Sequence, residues 1–195
     1  MAELSILGTG LVSPFGLTPR EHAFFLPAML PPPTGSPFLG PKGKPVAIER
    51  AAFIDVTAPV GSRMSVLALR AAESALSDLR ERTGARFGLL LATERARAGL
   101  SDRDVEMVEA ALVRLASPVF TERVRGSGGP FGSLDAVMDR VRRERADGVL
   151  VVAADSFIST EYLTHYATHG PSHWMTWPPS PSEGAAAMVV TDPTT

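Results

Sequence analysis

A chain of 195 residues is long enough for one domain with a substantial core, and 45% hydrophobic with 21% charged residues is an ordinary globular composition. The net charge of −2 gives no overall attraction to nucleic acid, and the lack of cysteine excludes disulfides, thiolate metal sites and a thiol nucleophile. The start, MAELSILGTGLVS, has no basic segment, and no apolar run reaches the roughly 20 residues that span a bilayer. We therefore expect a soluble, cytoplasmic single domain over residues 1–195, with no nucleic-acid or membrane partner.

The first half of the chain predicts one strand and two helices. The apolar run Leu4–Val12 predicts a buried strand, and a capping box at Thr18 predicts the start of a short helix. The segment Pro31–Pro45 is rich in proline and glycine and predicts a loop. The longest helix is expected to begin at a cap formed by Ser62 and to end at Gly84, since apolar residues recur between them at helical spacing.

The second half alternates between the two kinds of element. RFGLLLAT, PVF, GVLVVAA and EGAAAMVVT predict strands, and helices are expected over SDRDVEMVEAALVRL, over LDAVMDRV and over STEYLTHYAT. This alternation favours an α/β fold with a mostly parallel sheet, which binds ligands beyond the carboxyl ends of its strands. The glycine-rich turn Gly126–Gly132 follows PVF and precedes a helix, so we expect it at that rim.

Three motifs in order resemble the N-terminal half of the β-ketoacyl-acyl-carrier-protein synthases, the condensing enzymes of the thiolase fold. ILGTGLVSPFG is similar to the family's first strand and turn, ADGVLVVAADS to the strand after its nucleophile helix, and PSEGAAAMVV to the end of that half. The resemblance implies a thiolase-like half-fold, with a five-stranded mixed sheet and helices on both faces. It implies no cofactor.

The resemblance also directs attention to two serines. The family's catalytic cysteine lies about twenty residues before the Asp of the AD pair, at the amino end of a helix. Counting back from Asp147 reaches Ser127, and Ser133 is a second candidate because Pro130 suits the first turn of the helix. A serine needs an adjacent general base to act as a nucleophile. The alternative is that Ser127 is only a turn residue among glycines.

A metal site is a separate candidate. Glu161, His165 and His169 are spaced i, i+4 and i+8, so a helix would place them on one face, where two histidines and a carboxylate can bind zinc. The alternative is an exposed polar helix face. No fourth ligand is evident from the sequence.

Two features bear on partners. The strand Gly148–Ala154 is apolar and uncharged, and the family pairs this strand with its twin, so we expect a homodimer or a second thiolase-like chain bound there. Carrier proteins are acidic, so a basic group near a helix end makes an acyl carrier protein a candidate partner. Four arginines form that group: Arg140, Arg142, Arg143 and Arg145. The alternative is a solvated helix end favoured by the helix dipole.

The resemblance implies a role in acyl transfer or condensation during fatty-acid or polyketide-type synthesis. Because the chain lacks both the thiol and the second half of the fold, we expect a synthase-like protein with weak or no condensing activity as an isolated chain. The alternative is a non-catalytic thiolase-like subunit or scaffold that pairs with a full-length synthase.

Overall fold

The computed structural model describes residues 4–25, 34–39, 43, 45–77, 79, 84–126, 129–169 and 180–193. It contains seven strands and five α-helices within those ranges. In chain order these are β1 (Ser5–Val12), α1 (Pro19–Phe25), β2 (Thr34–Leu39), β3 (Pro45–Ile48), α2 (Val60–Ser77), β4 (Phe87–Thr93), α3 (Asp102–Ala116), β5 (Thr121–Arg125), α4 (Leu134–Glu144), β6 (Gly148–Ser156), α5 (Thr160–His169) and β7 (Glu183–Thr191). None of the helices in the described part is long and apolar enough to cross a membrane.

The main sheet has the strand order β1-β7-β6-β4-β5. β4 runs parallel to both β5 and β6, and β7 runs antiparallel to both β1 and β6. The sheet is therefore five-stranded and mixed, as the resemblance to the condensing enzymes implied. Every residue of β4 is buried, as expected for a strand covered on both faces.

Helices cover both faces of this sheet. On one face, α2 and α3 pack on a core that includes Met64, Leu67, Leu112 and Leu150. On the other face, α4 packs through Val137, Met138 and Val141. A capping box closes the amino end of α3: the Ser101 hydroxyl oxygen accepts from the Asp104 amide, and the Asp104 carboxylate accepts from the Ser101 amide.

Three boundaries differ from the sequence predictions. The segment predicted as a loop contains β2, which pairs with β3 at the end of that segment. Val46 and Ile48 of β3 bury their side chains in one cluster with Ile158 and Leu163. Helix α2 begins at Val60, before the expected cap, and ends at Ser77 rather than at the glycine seven residues later. The strand predicted at PVF, residues 118–120, instead begins directly after that run, at Thr121–Arg125.

The prediction that the strand Gly148–Ala154 pairs with a second chain is wrong. The segment Gly148–Ala154 belongs to β6, the central strand of the sheet, which pairs with β4 on one side and β7 on the other. Its backbone groups are already used in these two ladders, so it cannot add a strand from a second chain. Its lack of charge reflects burial on both faces, not an exposed edge.

A fully buried ion pair joins α2 to β7. The Glu183 carboxylate accepts from Arg63 Nη2 at 2.5 Å and Nε at 2.8 Å, and both side chains are inaccessible to solvent. Glu183 also accepts from the Ser156 hydroxyl at 2.9 Å and from the Ala51 amide at 2.8 Å. Each carboxylate oxygen of Glu183 thus accepts two hydrogen bonds. A buried ion pair is tolerated in a core when its remaining lone pairs are satisfied in this way.

Candidate functional site

Four strands end at the same rim of the sheet. β1, β4, β5 and β6 all point one way, so Ser13, Glu94 and Gly126 each follow directly after a carboxyl end. This is the edge at which open α/β sheets bind ligands. A cleft of about 430 Å³, which we call the rim cleft, lies here. Its described lining residues are Ala92, Thr93, Glu94, Gly126, Gly129, Pro130, Ala153, Ala154, Asp155, Gly184, Ala185 and Ala186.

A row of alanines forms one wall of the rim cleft. Ala153 of β6 pairs with Ala92 of β4 on one side and with Ala186 of β7 on the other. Paired residues project to the same face, and alternation along β6 from buried Val151 assigns this row to the face covered by α4. Because the three paired side chains are small, they leave open the space of the rim cleft. Larger residues fill the corresponding space further along the sheet.

Gly126, Gly129 and Pro130, described residues of the predicted glycine turn, also line the rim cleft. The Gly126 amide donates to the Thr93 carbonyl at 3.0 Å, which anchors the turn to the end of β4. Gly126 has φ 99° and Gly129 has φ 56°, conformations that glycine adopts without a steric penalty. The expectation that this turn lies at the rim is therefore confirmed.

Of the two candidate serines, only Ser133 belongs to the described residues. Ser127 lies outside the described residues. Ser133 is the residue before α4, and its side chain makes no capping hydrogen bond. It is not among the described residues that line the rim cleft. A role for either serine as a nucleophile stays a prediction.

An ion pair at the rim separates two cavities. Asp155 lines the rim cleft and is paired with Arg97, which lines a second cavity. Burial raises the pKa of Asp155 above its usual value, and outweighs the opposing effect of the Arg97 charge. The Arg97 guanidinium lies 4.0 Å from the centre of the Phe157 ring and 5.3 Å from that of Tyr162. This stacking fixes the guanidinium between the cavities.

The second cavity has a volume of about 540 Å³. It is larger than the rim cleft, but its lining includes three charged side chains, those of Arg97, Asp104 and Glu161. The rim cleft has two, Glu94 and Asp155, beside its row of alanines. The carboxylate of Asp104 is already used by the cap of α3. We therefore regard the rim cleft as the better candidate for an apolar ligand.

The histidine face of α5 is formed. The rings of His165 and His169 stack with their centroids 4.3 Å apart, and His169 Nδ1 lies 3.0 Å from the His165 carbonyl oxygen. Glu161 lies one turn earlier, in the lining of the second cavity. The described residues contain no group of three or more His, Cys, Asp or Glu side chains that could hold a metal ion.

The four arginines do not form a uniform basic patch. Arg140 is paired with Glu122 and lies 4.6 Å from the centre of the Phe120 ring. Arg142 is paired with Asp139 and Asp192. Two members of the group are thus partly neutralised by their own chain, and the side chains at positions 143 and 145 are exposed.

The sequence analysis missed a serine–histidine pair at the rim. The Ser13 hydroxyl oxygen lies 2.6 Å from His22 Nε2, and His22 Nδ1 lies 2.7 Å from the Thr18 carbonyl oxygen. The signal was present: Ser13 directly follows the first strand, and His22 lies one turn inside the helix that the capping box predicts. Only the fold of the intervening turn brings the two side chains together.

Comparison with known proteins identifies the architecture. No protein-family model and no curated protein matches the sequence. Solved structures do match. They include a ketosynthase from module 6 of the bacillaene synthase of Bacillus subtilis 168, at 14% identity and a TM-score of 0.64, over 98% of this chain and 40% of that one. The ishigamide ketosynthase/chain length factor matches at 19% identity and a TM-score of 0.64, over 98% of this chain and 63% of that one.

A third match is a type II polyketide synthase acyl-carrier protein in complex with its ketosynthase, at 14% identity and a TM-score of 0.62. The match covers 100% of this chain and 64% of that one. This chain therefore spans less than two thirds of these three proteins. It adopts the thiolase-like fold of the ketosynthases, over a span that corresponds to the N-terminal half of that fold.

Proposed function

We propose that this chain is a ketosynthase-like protein of fatty-acid or polyketide-type synthesis, which binds an acyl chain in the rim cleft and has little or no condensing activity by itself. The observation that carries the proposal is the alanine row of the cleft, Ala92, Ala153 and Ala186, at the ligand-binding edge of a ketosynthase-like sheet. The cleft volume of about 430 Å³ lies in the range of small-molecule sites. The lack of cysteine removes the usual thiol nucleophile of the fold.

The proposal predicts that filling the cleft abolishes acyl binding. Ala153 is the central member of the alanine row, so Ala153→Leu adds three carbons to the middle of the cleft. The matched control is Ala136→Leu, an identical change on the exposed face of α4. Binding of the decanoyl thioester of N-acetylcysteamine is measured by calorimetry and by thermal unfolding. A ligand at a hundredfold excess over Kd stabilises the native state by about 2.7 kcal/mol.

We expect this stabilisation in the wild type and in Ala136→Leu, and its loss in Ala153→Leu. Equal binding by all three proteins would place the acyl group elsewhere. Lack of binding by the folded wild type would contradict the proposed function.

A second candidate is a thiolase-like partner subunit without catalysis, and the open edge of β5 favours it. The Gly126 amide and the Phe120 carbonyl both bond to β4, so alternation directs the amides of Thr121, Arg123 and Arg125 to the outer edge. An edge strand without proline is a template for another strand. We propose this edge as the contact for a second copy or a second thiolase-like chain. A ketosynthase/chain length factor is among the structural matches.

An acyl carrier protein is the second proposed partner, supported by the ketosynthase that was solved with its carrier protein. The exposed Arg143 and Arg145 are the residues we propose for that contact. The two candidate functions differ in one measurement. A partner subunit associates whether or not the rim cleft accepts an acyl chain, so Ala153→Leu would leave its association unchanged.

A further inference from the structure

We propose that Ser13 and His22 form a nucleophile–base pair that takes an acyl group from a thioester at the rim and transfers it to water. The inference rests on the proposed acyl binding for its substrate class. Its geometric basis is independent of that proposal: a serine hydroxyl at hydrogen-bond distance from an imidazole, next to the cleft.

The hydrogen bonds fix the direction of the proton. The Thr18 carbonyl oxygen can only accept, so His22 Nδ1, 2.7 Å away, must carry the hydrogen. Nε2 of the neutral ring is then an acceptor, and the Ser13 hydroxyl, 2.6 Å away, must donate to it. The Phe15 amide donates to the Ser13 oxygen at 3.1 Å and orients it. This is the arrangement of a nucleophile, a general base and a group that orients the base.

The register of the sheet places Ser13 beside the rim cleft. The β1–β7 ladder pairs Val12 with Ala185, and its continuation sets Ser13 opposite Gly184, a lining residue of the cleft. A Cβ atom on Gly184 would lie 3.7 Å from the Ser13 Cβ. Val12 projects into the core beneath α2, so alternation turns Ser13 to the other face, which is the face of the cleft. Because residue 184 has no side chain, nothing at that position fills the space between Ser13 and the cleft.

The proposed reaction balances with water as the only co-reactant. The Ser13 oxygen attacks the thioester carbonyl while His22 Nε2 takes the hydroxyl proton. The carbon–sulfur bond breaks, and the leaving thiolate receives that proton from His22, which leaves an acyl ester on Ser13. His22 then takes a proton from water, the hydroxide attacks the ester, and the Ser13 oxygen leaves and regains the proton. The products are a carboxylic acid and a free thiol.

The native chain has no cysteine, so a cysteine introduced by mutation is its only thiol. The alkylation rate of that thiol therefore measures the reactivity at one chosen position. Ser13→Cys places a thiol beside His22. The control is Ser74→Cys, at a serine of α2 that is half-buried like Ser13 but bonds the Thr9 carbonyl and no imidazole. Alkylation by iodoacetamide at pH 7 is followed by intact mass. An adjacent imidazolium lowers a thiol pKa, and each unit of lowering increases the thiolate fraction about tenfold. We expect Ser13→Cys to react at least about tenfold faster than Ser74→Cys.

The second arm removes the base. His22→Gln in the Ser13→Cys background should reduce the rate to that of the control, with the circular dichroism spectrum unchanged. The third arm uses the native chain: p-nitrophenyl butyrate should acylate the peptide that contains Ser13, and Ser13→Ala should remove the adduct. The pair is refuted if Ser13→Cys reacts no faster than Ser74→Cys, if His22→Gln leaves its rate unchanged, or if the acyl adduct maps elsewhere. Thiol alkylation needs no acyl ligand, so its outcome is separate from the acyl-binding experiment on Ala153→Leu.

Discussion

The buried pair between Arg63 and Glu183 supports the sharpest stability prediction. We consider Glu183→Gln, which keeps the size and shape of the side chain and removes its charge. The carboxylate accepts from Arg63 twice, from the Ser156 hydroxyl and from the Ala51 amide. A glutamine has one acceptor oxygen, so its NH₂ group must face at least one of these donors, and the guanidinium remains charged with no solvent contact.

The magnitude follows from burial. Removing one partner of a buried ion pair costs about 3–5 kcal/mol, because the remaining charge is uncompensated. The control is Glu122→Gln, whose carboxylate pairs with Arg140 but has 42% of its side chain exposed. An exposed pair contributes about 0–1 kcal/mol. The two substitutions make the same chemical change, so the difference between them isolates burial.

Urea unfolding followed by circular dichroism measures both variants. We expect Glu183→Gln to lose about 3–5 kcal/mol of unfolding free energy, and Glu122→Gln to lose less than about 1 kcal/mol. If Glu183→Gln does not fold, Ser156→Ala tests the same network, since it removes one hydrogen bond to the carboxylate at a cost of about 0.5–1.5 kcal/mol. Equal small losses at positions 183 and 122 would refute the reasoning.

The remaining predictions concern pH and association. Burial raises the pKa of Asp155, so its contribution to stability is complete below the ordinary value of 3.8 and is lost as pH rises through the raised pKa. The unfolding free energy of the wild type relative to Asp155→Asn should therefore fall as pH rises from below 3.8 through the raised pKa, and a constant or rising difference would contradict this prediction. If β5 binds a second copy, Arg123→Pro should reduce the sedimentation coefficient to that of the monomer, because it removes an outward amide and spares the ladder to β4. A wild type that is monomeric at micromolar concentration would contradict the β5 contact.

The sequence determined the order and type of most elements of the main sheet and its helices. Hydrophobic periodicity and helix caps are local properties, so the buried strand RFGLLLAT and the helix start at Thr18 could be identified without the fold. The glycine turn could be placed at the rim for the same reason, since it follows one predicted strand and precedes a helix. The motifs that resemble the condensing enzymes added the thiolase-like architecture.

Only the tertiary structure decided which strand is an edge and which side chains meet. An apolar, uncharged run such as Gly148–Ala154 is compatible with an edge strand and with a central strand. The order of strands in a sheet is set by contacts between segments that are distant in sequence. Arg63 and Glu183 are 120 residues apart, so no local sequence pattern indicates that they pair. Ser13 and His22 are only nine residues apart, yet their 2.6 Å contact depends on the angle at which α1 leaves β1. That angle is fixed by the turn between them, whose backbone bonds link Ser13 to Gly16.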